Sequence, residues 1–179
     1  MMFKNNNFFG LQPAKLLIQN QFLITDKVTA LDIGCANGAN SYYLATLGLT
    51  VDAVDILLPE LKPEQNINFI QSDIMDFKFV QNYDVILAFN VFQFLSINNR
   101  NLLIKKMNNI LSLYGIMFIR SFLEGDSTQF FDNDINNYLK KGELFSIIQS
   151  YHLEIKLYKE EFINDNHFPI GEHNHNIVS

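Results

Sequence analysis

The sequence predicts an α/β fold built on a doubly wound, mostly parallel sheet, and three observations carry that prediction. Short runs rich in β-branched and aromatic residues alternate with helical patterns, and most of the runs are apolar on both faces. The first run leads into a glycine turn, "DIGCANG", that opens a helix. Acids stand at the ends of three successive runs, at Asp32, Asp55 and Asp73. Strands covered on both faces read as near-continuous apolar runs, and their alternation with helices is the pattern of a parallel sheet packed on both sides.

Taken in order, the segment from Leu11 to Leu23 has Pro13 in its first turn and Leu16, Leu17 and Leu23 at amphipathic spacing, which predicts a covering helix. Strands are expected at "KVTALDI", "LTVDAVDI", "NINFIQSD", "YDVILAF" and "YGIMFIRSF". Helices are expected from Gly38 to Leu47 and from Asn98 to Leu113, where Leu102, Leu103, Met107, Ile110 and Leu111 share one side and Gly115 follows as a stop signal. The polar segment from Glu124 to Asn137 reads as a surface loop. A helix near Lys140 to Ser150 and strands near Leu153 to Phe162 and Asn174 to Val178 complete the chain. The short link between these last two strands predicts an antiparallel hairpin.

The totals bound the function. With 179 residues the chain fits one domain, and its net charge of −6, with Arg100 and Arg120 the only arginines, argues against a nucleic-acid surface. No apolar run approaches the roughly 20 residues of a membrane span, and the first ten residues hold no apolar signal core, so a cytoplasmic protein with no membrane partner is expected. The single cysteine, Cys35, excludes an internal disulfide and suits a reducing compartment.

The glycine turn has a structural reading, closing a strand and opening a helix, and a chemical one, exposing bare backbone to a ligand at a helix N-terminus. Gly34-Cys35-Ala36-Asn37-Gly38 lacks the three-glycine dinucleotide spacing, which disfavours NAD. Asp32, just before the turn, would attract an ammonium group and repel a phosphate. Asp55, about 20 residues further on, suits a ribose diol, and Asp73 an exocyclic adenine amine. Ligands of open parallel sheets gather outside the carboxyl ends of the strands, so the three acids point to one crevice. S-adenosylmethionine has the ammonium, ribose and adenine that this set matches.

The stretch "LDIGCANGANSYYLATLGLTVDAVD" resembles the cofactor-binding half of the class I S-adenosylmethionine-dependent methyltransferases, and "GCANGANSYYLA" is particularly similar to the tellurite-resistance methyltransferases. The likeness runs from about Phe8 to the C-terminus, through "YDVILAFNVFQFL" and "KKGELFSIIQSYHLEIKLYKEE". It implies a Rossmann-like, seven-stranded sheet of order 3-2-1-4-5-7-6 with the last strand antiparallel. It implies cofactor contacts at Asp32, Gly34, Ala36, Gly38, Asp55, Asp73, Ile74, Asn90 and Val91. It also implies an enzyme that transfers methyl groups from S-adenosylmethionine to a small-molecule acceptor. On this reading 1–179 is one methyltransferase domain, with the covering helix in about 1–25, the cofactor core over 26–122 and an acceptor-side helix and hairpin over 123–179.

The resemblance has departures. Ala36 replaces the usual glycine at the middle of the turn, and its methyl would crowd the cofactor unless φ is negative there. The link "ILLPELKPEQN" is shorter than the usual helix and holds two prolines. The sequence stops at "NIVS", where relatives continue through the final strand, so a truncated chain is expected. Where those relatives carry a histidine followed by arginine, this chain has His167 and Phe168, which weakens the case for an oxyanion acceptor and leaves a soft nucleophile equally suited.

Two acceptor-side candidates follow. "FNVFQF" resembles the Asn-Pro-Pro-aromatic element of amino methyltransferases but lacks both prolines, so Phe92 and Phe94 read as packing residues. His167, His173 and His175 fall within nine residues in the predicted turn between the last two strands. If strand six is parallel to the rest, His167 and His173 are placed to touch the acceptor or take its proton. His-x-His spacing is also a metal-binding geometry, with His167, Glu172 and Asp165 as further ligands, but no metal is expected. Two other functions compete: a non-catalytic S-adenosylmethionine-binding module, and a zinc-binding interaction protein built on the histidines. Gly38→Val is expected to abolish cofactor binding and leave the fold intact.

Overall fold

The computed structural model describes residues 12–130, 137–167 and 171–179. Seven strands form one sheet in the order β3-β2-β1-β4-β5-β7-β6. They are β1 Thr29–Ile33, β2 Thr50–Asp55, β3 Ile67–Gln71, β4 Tyr83–Phe89, β5 Leu111–Phe122, β6 Glu160–His167 and β7 Gly171–Val178. The described residues group into two compact units. One takes in the chain up to Ala88 together with Asn109–Phe118, the other Phe89–Asn108 and Ile119–Ser179.

In the first unit β1 lies between β2 and β4, parallel to both, and β2 pairs in parallel with β3. Leu31, Ile33, Val51, Ala53, Val85, Ile86 and Leu87 are all fully inaccessible, as strands covered on both faces must be. Helix α2, Ala39–Thr46, presents Ser41 and Leu44 to this core. The start of β1 is held by Asp84, whose carboxylate accepts the amide N–H groups of Val28 and Thr29 at 3.0 and 3.1 Å.

The covering helix is shorter than its periodicity suggests. Helix α1 spans only Lys15–Gln19 and gives way to a 3₁₀ turn over Gln21–Leu23, with Leu17 and Ile24 buried. At Asn20 the side-chain amide donates to the Leu16 carbonyl at 2.8 Å, an Asn bond to backbone of the kind that competes with helix continuation. Helix α3, Ile97–Ile110, also ends before the predicted Leu113. Gly115 is needed for a different reason: a Cβ there would lie 2.9 Å from the Ser112 carbonyl oxygen and 2.8 Å from Leu111 Cδ1.

In the second unit α4, Glu143–Gln149, precedes the β6–β7 hairpin. The alternation over Leu153–Lys159 is real, but an alternating face does not supply a partner strand, and β6 begins only at Glu160. Between His167 and Gly171, which are paired, lie three residues, so His173 and His175 stand in β7 and not in a turn. The hairpin's position follows from its register. Ile177 and Val178 pair with Phe122 and Ser121 at the end of β5, and with Glu161 and Glu160 on the other side. Because β6 and β5 are each antiparallel to β7, they are parallel to one another. The hairpin therefore starts level with the end of β5 and runs on past it, reaching His167 about 20 Å and His173 about 13 Å further along at roughly 3.3 Å per residue.

A buried arginine ties this unit together. Arg100 in α3, 1% exposed, donates from Nε to the Phe92 carbonyl at 3.0 Å, from one terminal nitrogen to Glu143 of α4, and from the other to the Asn137 carbonyl. Removing a buried charged partner strands the groups it satisfied. Arg100→Met should lower the free energy of unfolding by about 3 kcal/mol; a urea denaturation midpoint equal to the parent's would contradict this role.

Candidate cofactor site

The turn after β1 is set by backbone conformation. Gly34 (φ 70°), Ala36 (φ 48°) and Gly38 (φ 77°) all lie in the left-handed region. Alternating hands fold the segment back on itself, and β2 fixes the result: the Gly34 and Cys35 N–H groups donate to the Val54 carbonyl at 2.8 and 3.2 Å. The Ala36 N–H donates to Asp55 Oδ2 at 2.8 Å, and Asp55 Oδ1 accepts the Leu57 N–H at 3.0 Å. The turn and Asp55 are thereby brought together. Ala36 has φ 48°, so the negative φ that would turn its methyl away from the cofactor is not adopted, and the turn keeps the glycine-like conformation there.

Asp32, at the end of β1, is 1% exposed and accepts a hydrogen bond from the Ser41 hydroxyl of α2 at 2.6 Å. Among the described residues no ion pair reaches it. Burial pushes its carboxyl up to about 6, and the nearby Asp55 charge adds to the rise, while the Ser41 bond opposes it. Such an acid favours a cation brought in by a ligand. Cys35 is buried at 3% exposure, and burial together with the Asp32 and Asp55 charges raises its thiol far above neutrality. It is a packing residue without thiolate chemistry.

Beyond β3, Asp73 is exposed and Oδ1 accepts the Met75 N–H at 2.8 Å, while Ile74 is buried. The link between β2 and β3 carries no helix. It is held by the Tyr42 hydroxyl, which donates to the Lys62 carbonyl at 2.7 Å, and by Gln71 Nε2, which donates to the Ile56 carbonyl at 3.3 Å.

Asn90 and Val91 belong to the second unit. Asn90 has φ 56°, donates its N–H to the Arg120 carbonyl at 2.7 Å and accepts from Arg120 Nε at 3.3 Å. Behind it Gln93, 1% exposed, donates to the Asn90 carbonyl at 2.9 Å and accepts the Ser121 hydroxyl at 2.7 Å. Phe92 is buried as expected of a packing residue, but Phe94 is 47% exposed. The segment read as a surface loop, Glu124 to Asn137, contains a buried acid, Asp126, and the buried Thr128. Sequence reasoning missed Arg100 and Asp126; the one available signal was Arg100 as a lone charge within "SINNRNLLI", whereas Asp126 stands two residues from Glu124 in an acidic segment.

His167 and His173 stand in the part of the hairpin that extends past β5, with Asp165 opposite His173. His175 is separate from them in role: it is 8% exposed, its Nδ1 lies 3.2 Å from Asp126 Oδ2, and its ring stacks on Phe122 with centroids 5.0 Å apart. Among the described residues no group of three or more His, Cys, Asp or Glu is arranged to hold a metal ion, and no helix is long and apolar enough to cross a membrane.

Comparison with known proteins gives a consistent family. The model of the family "Tellurite resistance protein TehB" matches residues 4–162. A curated relative from Haemophilus influenzae, "Probable S-adenosyl-L-methionine-dependent methyltransferase TehB", is 31% identical over 129 residues, 63% of this chain and 45% of the relative. The crystal structure of TehB from Haemophilus influenzae superposes with a TM-score of 0.74 at 21% identity, over 92% of this chain and 60% of that one. A Burkholderia thailandensis 1,6-didemethyltoxoflavin-N1-methyltransferase, solved with bound 1,6-didemethyltoxoflavin and S-adenosylhomocysteine, gives a TM-score of 0.63 at 15% identity over 88% and 74% of the two chains. The chain thus spans about half the length of the curated relatives it matches.

Gly38 generates a prediction about the turn itself. A Cβ there would lie 3.0 Å from the Tyr42 ring and 3.2 Å from the Phe69 ring, and φ 77° is poorly suited to any branched residue. Gly38→Val should therefore destabilise the ligand-free protein by about 1–3 kcal/mol. Thermal melts without ligand check this; a melting temperature unchanged from the parent would mean that the turn relaxes at no cost.

Proposed function

Because the chain belongs to the tellurite resistance protein TehB family, we propose that it transfers the methyl group of S-adenosylmethionine to a small-molecule acceptor. The observation that carries the reading is the buried Asp32 carboxylate, unmatched by any cation among the described residues, beside a turn of left-handed backbone stapled to Asp55. These residues fit the cofactor's polar parts. Asp32 faces its ammonium, Gly34, Ala36 and Gly38 offer backbone to its amino-acid portion, Asp55 keeps lone pairs for its ribose diol, and Asp73 with Ile74 takes its adenine. The sequence likeness adds Asn90 and Val91 as further proposed contacts.

The bound sulfonium supplies a methyl group already activated for displacement. The chain's own task is to hold a nucleophile in line at about 3–3.5 Å and keep it there. We assign His167 and His173 to the acceptor. A neutral imidazole with an ordinary value near 6.5 can orient a soft nucleophile by hydrogen bonding, or take the proton of a thiol or hydroxyl as it attacks. A thiol or another soft nucleophile suits this set at least as well as a chalcogen oxyanion. Titration with S-adenosylmethionine followed by trial acceptors tests the whole reading; binding without turnover would mark a cofactor-binding module.

Asp32 makes cofactor binding pH-dependent. Its folded-state value of about 6 lies above the ordinary 3.8, so the free protein binds that proton more tightly than the unfolded chain. Stability from this group is full below about pH 4 and declines as pH rises toward 6. An arriving ammonium favours the ionised form and expels the proton. Affinity for S-adenosylhomocysteine should therefore rise about tenfold from pH 5 to pH 7, whereas 5′-methylthioadenosine, which lacks the ammonium, should show no such rise. Calorimetry at the two pH values with both ligands decides; parallel profiles would remove Asp32 from the ammonium.

The histidines predict a separation of binding from turnover. His167→Ala and His173→Ala should each lower kcat by about 10²-fold while cofactor affinity stays within about twofold. A parent rate that climbs between pH 6 and 7 and a variant rate that does not would mark proton transfer. Parent-like turnover in both variants would exclude the hairpin from the acceptor site.

A further inference from the structure

The β6–β7 hairpin is unusual in how little of it β5 supports. Among the described residues only Ile177 and Val178 pair with β5, and beyond them β7 is gripped by the segment Leu123–Thr128. Leu123 N–H donates to the Asn176 carbonyl at 2.7 Å, Asn176 Nδ2 donates to the Glu124 carbonyl at 2.9 Å, and the Ser127 hydroxyl donates to the Asn174 carbonyl. At the centre of this grip is Asp126, with no exposed surface. Its carboxylate accepts the Asn176 N–H at 2.8 Å, the Thr128 N–H at 2.9 Å and the Thr128 hydroxyl at 2.6 Å, and it faces His175 Nδ1 at 3.2 Å. Burial alone would push the Asp126 carboxyl up, but the bonds from His175, Thr128 and Asn176 outweigh it and hold the group below the usual carboxylate range. The ionised acid requires that His175 carry its proton on Nδ1.

Past Asn174 the described strands are a two-stranded ladder, and an isolated two-stranded hairpin is marginally stable in water. The direction and order of the segment carrying His167 and His173 then depend on the last fixed point of β7. We propose that Asp126, acting through His175 and Asn176, is the positioning residue that anchors this hairpin and so sets the placement of His167 and His173. Only the kinetic part of this inference rests on the acceptor role assigned to those two histidines.

Hydrogen exchange on the full chain tests the anchor without reference to activity. In Asp126→Ala the amides of Ile163–His167 and Glu172–Asn174 should exchange at least about tenfold faster, while those of β1 and β4 keep parent protection. His175→Asn, which retains a donor close to the position of Nδ1, should preserve hairpin protection, and His175→Leu should lose it. Unchanged hairpin protection in Asp126→Ala, or acceleration spread evenly over β1, β4 and the hairpin, overturns the proposal. If Asp126→Ala does not fold, the His175 pair decides, and equal protection in Asn and Leu variants overturns it. In the kinetic arm, with tellurite and 2-mercaptoethanol as acceptor probes, His175→Leu should lower kcat at least about tenfold with the KM for S-adenosylmethionine unchanged, and His175→Asn should restore it. A parent inactive on both probes would count against the acceptor reading, and the exchange result would still decide the anchor.

Discussion

The first unit depends on a backbone constraint: within five residues the chain must enter left-handed conformations at Gly34, Ala36 and Gly38. Nothing in local propensity favours that sequence of angles at an alanine. It persists because β2 over-determines it, with the Val54 carbonyl taking two amide N–H groups and the Asp55 carboxylate a third. The same bonds that hold the turn also hold Asp55 against it. Geometry at the proposed ribose contact and geometry at the glycine turn are therefore one quantity, and substitutions at Asp55 are expected to be felt in both.

Two buried carboxylates in this chain show how hydrogen bonding separates a site from a brace. Asp126 is wholly buried and receives three firm donors in addition to His175, and its charge is stabilised despite burial. Asp32 is just as buried, has only the hydroxyl and backbone N–H of Ser41 as donors among the described residues, and is pushed toward the neutral form. A carboxylate that its surroundings already satisfy does not need a ligand. One that they leave in deficit is the more natural place for an incoming cation.

Much of this was legible in the sequence because it is local. Five parallel-type strands, the helix opening at Gly38 and the acids at strand ends all follow from periodicity and turn chemistry, and the strand order 3-2-1-4-5-7-6 followed from the family likeness. What escaped depends on partners distant in sequence. Arg100 looks like a surface residue of an amphipathic helix until Glu143 and Asn137 are brought to it. Asp126 looks like a loop acid until β7 supplies His175 and Asn176. The β6 boundary was misplaced because alternation over Leu153–Lys159 specifies a face without specifying what pairs with it. The three histidines, equivalent in sequence, were divided by register: His175 is two residues from Ile177, which pairs with Phe122 of β5, and the other two lie beyond.

The distribution of permanent positive charge bears on the acceptor. Of the two arginines, Arg100 is consumed by Phe92, Asn137 and Glu143, and Arg120 is bonded to Asn90 with its guanidinium 5.6 Å from the Phe89 ring centroid. Lys159 at the foot of the hairpin pairs with Glu161. Binding an oxyanion tightly calls for charge-assisted donors that are not already committed, of which a bidentate guanidinium is the strongest form. A chain whose arginines serve as structural ties is compatible with the proposed acceptor recognition by imidazole, through one hydrogen bond and a proton that can be taken or left. For that proposed acceptor, the commitment of both guanidinium groups and Phe168 in place of arginine leave a thiol or other soft nucleophile at least as well suited as an oxyanion.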